Sequence, residues 1–169
     1  KSLGGLEDVF HGSHGRVRHA VHLVADAINN HKRKPRILLV EDNLQDLELC
    51  RKLLADEYDL MEAYTVKGAT EFLPYCDLVI LDMKLPDGEG SEILEHMNAK
   101  GILTPVVATS AYSEYEPKVR DQILYWLDKP FAIERFKSIV QEALRMSREI
   151  VKLQEHDTQL GNFLDRNSF

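Results

Sequence analysis

Four runs of large apolar residues end on groups that could do chemistry. ILLV (37–40) is followed by Glu41-Asp42, LVIL (78–81) by Asp82, PVVA (105–108) by Thr109-Ser110, and YWL (125–127) by Asp128-Lys129-Pro130. A buried strand gains nothing by finishing on two adjacent carboxylates, which repel one another. The acids are therefore read as hard oxygen ligands for a divalent cation. Mg²⁺ suits them best, because it takes oxygen donors, keeps several waters and is commonly held by few carboxylates together with phosphate oxygens. No His or Cys stands at these positions, so zinc and other soft metals are not favoured. Lys129 offsets part of the repulsion, and Ser110 adds a hydroxyl.

These groups meet only if the elements before them lie side by side. ILLV and DLVIL read as buried strands without alternation, TPVVAT as another, ILYWL as a fifth, and YDLMEA as a weaker one. Helical patterns separate them. Asn43 is placed to cap LQDLELCRKLLADE, whose Leu47, Cys50 and Leu54 share a face. VKGATEFL predicts a short helix and LPDGEG a turn. Ser91 is expected to cap EILEHMNAK, which Gly101 closes, and a short helical stretch is expected within 114–123. Continuous apolar strands interleaved with helices predict a parallel sheet covered on both faces. A doubly wound order of 2-1-3-4-5 puts strands one and three together, and function in such sheets collects at the carboxyl ends of the strands.

Two further segments flank this region, so three are expected: 1–35, 36–135 and 136–169. Val17, Ala20, Val21, Val24, Ala27 and Ile28 predict an amphipathic helix that Lys34-Pro35 ends. From about Ala132 one long helix is expected. Ile139, Met146, Leu153 and Leu160 are spaced by sevens, as are Ala143, Ile150, Asp157 and Leu164. That spacing describes a coiled-coil seam with Asp157 as its misfit, and so a homodimer through the last helix. The competing reading is a long helix folded back on its own domain.

Composition narrows the function. The chain has 169 residues, 44% hydrophobic and 29% charged, and no apolar run approaches the roughly 20 residues of a membrane span. Residues 1–35 carry six Lys/Arg against three acids, a balance of +3, so the net −7 of the chain puts −10 on the remainder. An acidic body does not suit nonspecific nucleic-acid binding, and the HKRKPR run is read as a solvated linker. Cys50 and Cys76 lack ligand spacing and read as free thiols of a cytoplasmic protein. The histidines at 11, 14, 19, 22 and 31 read as solvated. A start at Lys1 without a signal pattern reads as an excised fragment.

ILLVEDN, DLVILDMKLPDGEG, PVVATSA and LDKPF, in that order, resemble the receiver domain of two-component response regulators over about residues 36–135. The resemblance implies a flavodoxin-like α/β fold and a phosphoprotein rather than an enzyme. It implies that Asp82 accepts a phosphoryl group from a sensor histidine kinase, a phosphotransfer protein or a small acyl phosphate. Glu41, Asp42, Asp82 and the backbone carbonyl of Lys84 would hold Mg²⁺, Lys129 would bind the phosphoryl group, and Ser110 would donate to its oxygens. Trp126 stands at the family's switch aromatic, and Lys84 and Tyr112 at the positions that tune hydrolysis. Pro86, Gly88 and Gly90 fit a loop where backbone approaches closely.

The stretch from Ser110 to Lys129 is a few residues shorter than the family's usual, and Pro117 limits its helix, so the face between the fourth helix and the last strand departs from the family pattern. Two other functions compete. An aspartyl-phosphate hydrolase of the haloacid dehalogenase kind needs a second acid two residues after its nucleophile, where this chain has Lys84. An unphosphorylated scaffold, or a receiver excised from a larger regulator or hybrid kinase, fits the same motifs.

Overall fold

The computed structural model describes residues 33–112 and 116–166. The chain separates into two units, Lys1–Lys34 and Pro35–Phe169, and the fold that follows is that of the second. The helix expected over 15–31 lies outside the described residues.

Five strands form the main sheet: β1 (Arg36–Val40), β2 (Asp59–Ala63), β3 (Leu78–Asp82), β6 (Val106–Ser110) and β7 (Tyr125–Asp128). Two more, β4 (Lys84–Leu85) and β5 (Gly88–Glu89), pair antiparallel as a small hairpin. The sheet is parallel throughout, in the order β2-β1-β3-β6-β7. This is the doubly wound order expected from the sequence. Its helices are α1 (Leu44–Leu54), α2 (Val66–Phe72), α3 (Gly90–Lys100), α4 (Glu116–Val119) and α5 (Ile133–Arg166).

Neighbouring strand residues point to opposite faces, and each face has its own core. Leu38, Val40, Val79, Leu81 and Ala108 meet Ala69 of α2, Ile93, Leu94 and Met97 of α3, and Val119 of α4. Ile37, Leu39, Leu78, Ile80 and Val107 meet Leu47, Cys50 and Leu54 of α1, with Phe136, Val140, Ala143 and Leu144 of α5. Both faces are apolar, which explains why the strands show no polar alternation. None of the helices among the described residues is long and apolar enough to cross a membrane.

Several local expectations change. α1 ends at Leu54 rather than running on to Glu57, and the amides of Glu57 and Tyr58 both return to the Leu54 carbonyl as the chain turns into β2. α2 gives way to a 3₁₀ turn at Leu73–Tyr75, where Pro74 cannot continue the helical hydrogen bonding. LPDGEG forms the β4–β5 hairpin rather than a plain turn. Ser91 does not cap α3. Glu89 does, with extended backbone (φ −105°, ψ 149°) and a reciprocal capping box with Glu92. The hairpin delivers Glu89 to the cap position and leaves Ser91 inside the first turn, its hydroxyl on the Glu89 carboxylate. Gly101 closes α3 in the left-handed region, at φ 64°.

The heptad pattern of α5 divides in two. Ala143 is wholly buried and Ile139 half-buried against the chain's own sheet, so this part of the apolar column is core. Beyond Ile150 every described side chain is exposed, with Leu153 at 70%. The helix is 34 residues long, about 51 Å at 1.5 Å per residue, which outruns a small sheet.

Candidate phosphoryl-acceptor site

The four polar strand ends gather at one edge because the strands are parallel and in register. Val40 pairs with Leu81, Asp82 with Thr109, and Ser110 with Asp128. The amide of Glu41 still bonds the Ala63 carbonyl, so Glu41 begins the loop while anchored to the sheet. Lys129 follows β7 directly, and its amide donates to the Ser110 carbonyl. Its bond to Pro130 is cis.

At the centre stands the Lys129 ammonium. Nζ donates to Glu41 Oε2 at 2.5 Å, to Asp82 Oδ2 at 2.8 Å and to Asp46 Oδ2 at 2.8 Å. All three of its protons are thereby engaged. Burial works against the charge on Lys129, but the hydrogen bonds to Asp46, Asp82 and Glu41 outweigh it and raise its pKa above the ordinary lysine value. Glu41 is buried, and desolvation pushes its carboxyl up to about 7 against the opposing pull of Lys129. Its Oε1 accepts from the Asn43 amide at 3.0 Å. Asp82 Oδ1 accepts from the Lys84 amide at 3.0 Å.

Glu41, Asp42 and Asp82 each offer an oxygen, and these atoms lie within 4.8 Å of one another. Such a spacing fits a single small cation, and an all-carboxylate set fits a hard one. Cys50 borders a cavity of about 20 Å³ beneath Glu41 and Lys129. Burial pushes its thiol up to about 11, so it is protonated at neutral pH and offers no thiolate to a soft metal. Above the acids the edge opens into a cleft of about 770 Å³ bordered by Asp42, Lys84, Pro86 and Tyr112.

The remaining positions singled out in the sequence lie around this edge. Ser110 is wholly buried, and its hydroxyl accepts from the Tyr112 amide at 3.0 Å. Tyr112 is exposed, with Lys84 Nζ 4.9 Å from its ring centroid, so β4 and the segment after β6 meet at the cleft. Trp126 is buried in the α2/α3 core, and its indole nitrogen donates to Asp128 Oδ1 at 2.8 Å. Gly90 makes the close approach expected of it, since a Cβ there would lie 2.9 Å from the Asp82 carbonyl oxygen. Gly88 does not approach backbone; the Glu92 carboxylate is what a Cβ there would meet, and that side chain can move.

Asp46 was not among the residues picked out from the sequence. It occupies the third position of α1, where acids are common for local reasons, and only its reach across the sheet edge joins it to Lys129.

The comparisons with known proteins agree with this geometry. The family description "Response regulator receiver domain" matches residues 37–141. The transcriptional regulatory protein CiaR of Streptococcus pneumoniae is 32% identical over 135 residues, covering 76% of this chain and 58% of CiaR. The response regulator protein PilR of Pseudomonas aeruginosa is 30% identical over 120 residues, covering 67% of this chain and 27% of PilR. The chain thus spans little more than half, or about a quarter, of the relatives it resembles. Among solved structures, the signal receiver domain of a putative LuxO repressor protein from Vibrio parahaemolyticus superposes with a TM-score of 0.66 at 28% identity, over 71% of this chain and 97% of that one. With its parallel sheet, its gathered acids and this family match, the chain belongs to the response regulator receiver domains of two-component systems.

Proposed function

We propose that this receiver is phosphorylated on Asp82 by a sensor histidine kinase or a phosphotransfer protein, in the cytoplasm, and that the modification changes how it associates. One observation carries the reading: Lys129 Nζ lies on Asp82 Oδ2 within an acid set that can hold one cation. Mg²⁺, held by Glu41, Asp42, Asp82 and the Lys84 carbonyl, would supply charge neutralisation for the incoming phosphoryl oxygens.

A carboxylate oxygen of Asp82 attacks phosphorus in line with the donor bond. The P–N bond of a phosphohistidine breaks, or the P–O bond of an acyl phosphate, and the leaving group keeps the electron pair. Lys129 screens the charge that gathers at the acceptor, and Ser110 donates its hydroxyl to a phosphoryl oxygen. Movement of Ser110 would then bias the α4/β7 face, which carries Trp126, between two packings. The switch takes in the 36–135 segment and the first turns of α5, whose Phe136, Val140, Ala143 and Leu144 complete its core. Residues 1–35 and the exposed end of α5 are accessories, and a homodimer through α5 is the proposed output. Lys84 and Tyr112 over the cleft would hinder the attacking water, so Tyr112→Ala should shorten the phosphorylated lifetime, measured by decay of the adduct.

Intact mass after incubation with acetyl phosphate and Mg²⁺ tests the reading. A single phosphoryl adduct on the wild type, absent from Asp82→Asn and without Mg²⁺, is expected. No adduct from acetyl phosphate or from a phosphorylated donor protein would instead favour an unphosphorylated scaffold.

A further inference from the structure

Resting on that reading, we infer that Asp46 is the exchange partner of Lys129, a positioning residue whose hydrogen bond is surrendered to the phosphoryl group when Asp82 is modified. Lys129 Nζ has three protons, and the structure spends all of them on carboxylates: Glu41, Asp82 and Asp46. A phosphoryl oxygen at Asp82 needs one of the three, so one bond must be given up.

The three differ in what losing Lys129 costs them. Asp82 is the acceptor and carries the new group, so Lys129 remains beside it. The Glu41 side chain is only 10% exposed, and water could not replace the bond there. The Asp46 side chain is 41% exposed, so water takes over at little cost. Asp46 is also the third residue of α1, whose amide donates to the Asn43 cap at 3.2 Å. Its negative charge sits at the positive end of that helix, and stays favourable there after Lys129 leaves. Asp46 also lies outside the group of three acids that could share one cation.

Asp46 therefore restrains the unphosphorylated form. It holds Lys129 part-way toward α1, and its charge opposes that of the arriving phosphoryl group. Weakening the restraint should favour the modified state.

Adduct formation from acetyl phosphate, at saturating Mg²⁺ and followed by intact mass, provides the test. Asp46→Asn should accelerate it by roughly three- to tenfold, the range of a partly exposed charged hydrogen bond. Asp46→Glu, which keeps the charge, should return toward the wild-type rate. Glu48→Gln removes an equal charge from the same helix, where Glu48 pairs with Arg51 instead, and should leave the rate unchanged. Affinity for beryllofluoride, read by calorimetry without turnover, should tighten in Asp46→Asn by the same factor. An unchanged or slower rate in Asp46→Asn, or equal acceleration in Glu48→Gln, overturns the inference while phosphorylation of Asp82 stands. A wild type that takes no adduct overturns both.

Discussion

Lys129 and Glu41 illustrate how burial changes what a charged residue does. In the open, such a pair contributes little, because water and salt screen it. Here Glu41 is desolvated and its pKa stands near 7, so it takes up a proton within the physiological range. A carboxylate ligand must be deprotonated, so on the proposed role of Glu41 at the cation site, Mg²⁺ affinity should weaken by roughly tenfold between pH 8 and pH 6. Calorimetric titration at the two pH values checks this, and Glu41→Gln should flatten the dependence. The sign for folding without metal is the reverse. Since Glu41 holds its proton more tightly when folded, its contribution to stability is complete below the ordinary carboxylate range and is lost as pH rises through about 7. Gly90 acts at the same scale through space rather than charge. Gly90→Ala would press a methyl against the Asp82 carbonyl, a backbone atom that cannot step aside. A loss of roughly 1–3 kcal/mol in urea unfolding is expected. A change under about 0.5 kcal/mol, within the usual effect of a surface substitution, would show that α3 can move away.

Among elements, the loops at the carboxyl edge are tied to helix starts. Asn43 caps α1 through the amides of Gln45 and Asp46, which sets both the direction of that helix and the place of Asp46. Asp87, from the hairpin after Asp82, reaches the first turn of α2, accepting from the Val66 amide at 2.7 Å and the Lys67 amide at 3.2 Å. Those bonds hold its carboxyl below the usual carboxylate range. The loop following Asp82 is thus fastened to a helix that begins beyond β2, two strands away in the sheet. α4 is the shortest α-helix among the described residues, as expected from Pro117 in its first turn. Its four residues and the following 3₁₀ turn at Arg120–Gln122 are what cover the end of the sheet beside β7, with Val119 as the buried contact.

For the whole molecule, the exposed stretch of α5 beyond Ile150 is the feature that the packed core does not use. Its first half belongs to the fold, with Phe136 stacked on Phe131 at 4.9 Å and Val140, Ala143 and Leu144 buried. Ser147 is buried as well, so a cut at 147 would disturb the core. A cut after Ile150 spares every buried residue among the described ones, because Val151 to Thr158 are exposed. At a concentration where both forms are monomeric, a chain ending at Ile150 should melt within about 2 °C of the full chain, since the exposed Val151 to Thr158 add nothing to the core. The proposed homodimer through α5 requires light scattering to show the shortened chain at about half the mass of the full chain. If both forms have the same mass in solution, the exposed heptads are not what assembles the protein.

Much of this site was legible before any tertiary contact was known. A doubly covered parallel sheet demands continuous apolar strands, and ILLV, LVIL and PVVA are such strands. Parallel strands also send all their carboxyl ends to one edge, so Glu41, Asp42, Asp82, Ser110 and Lys129 had to share that edge once the sheet formed. Local pattern carries this much because burial and strand direction are properties of each segment. Other features depended on where whole elements come to rest. Asp46 and Lys129 are 83 residues apart, and their contact forms only once α1 and the end of β7 are brought to the same sheet edge. Glu89 rather than Ser91 caps α3 because the hairpin sets where the helix can begin. The heptads of α5 divide at Ile150 because the sheet beneath them ends, a length that no period in the helix itself contains.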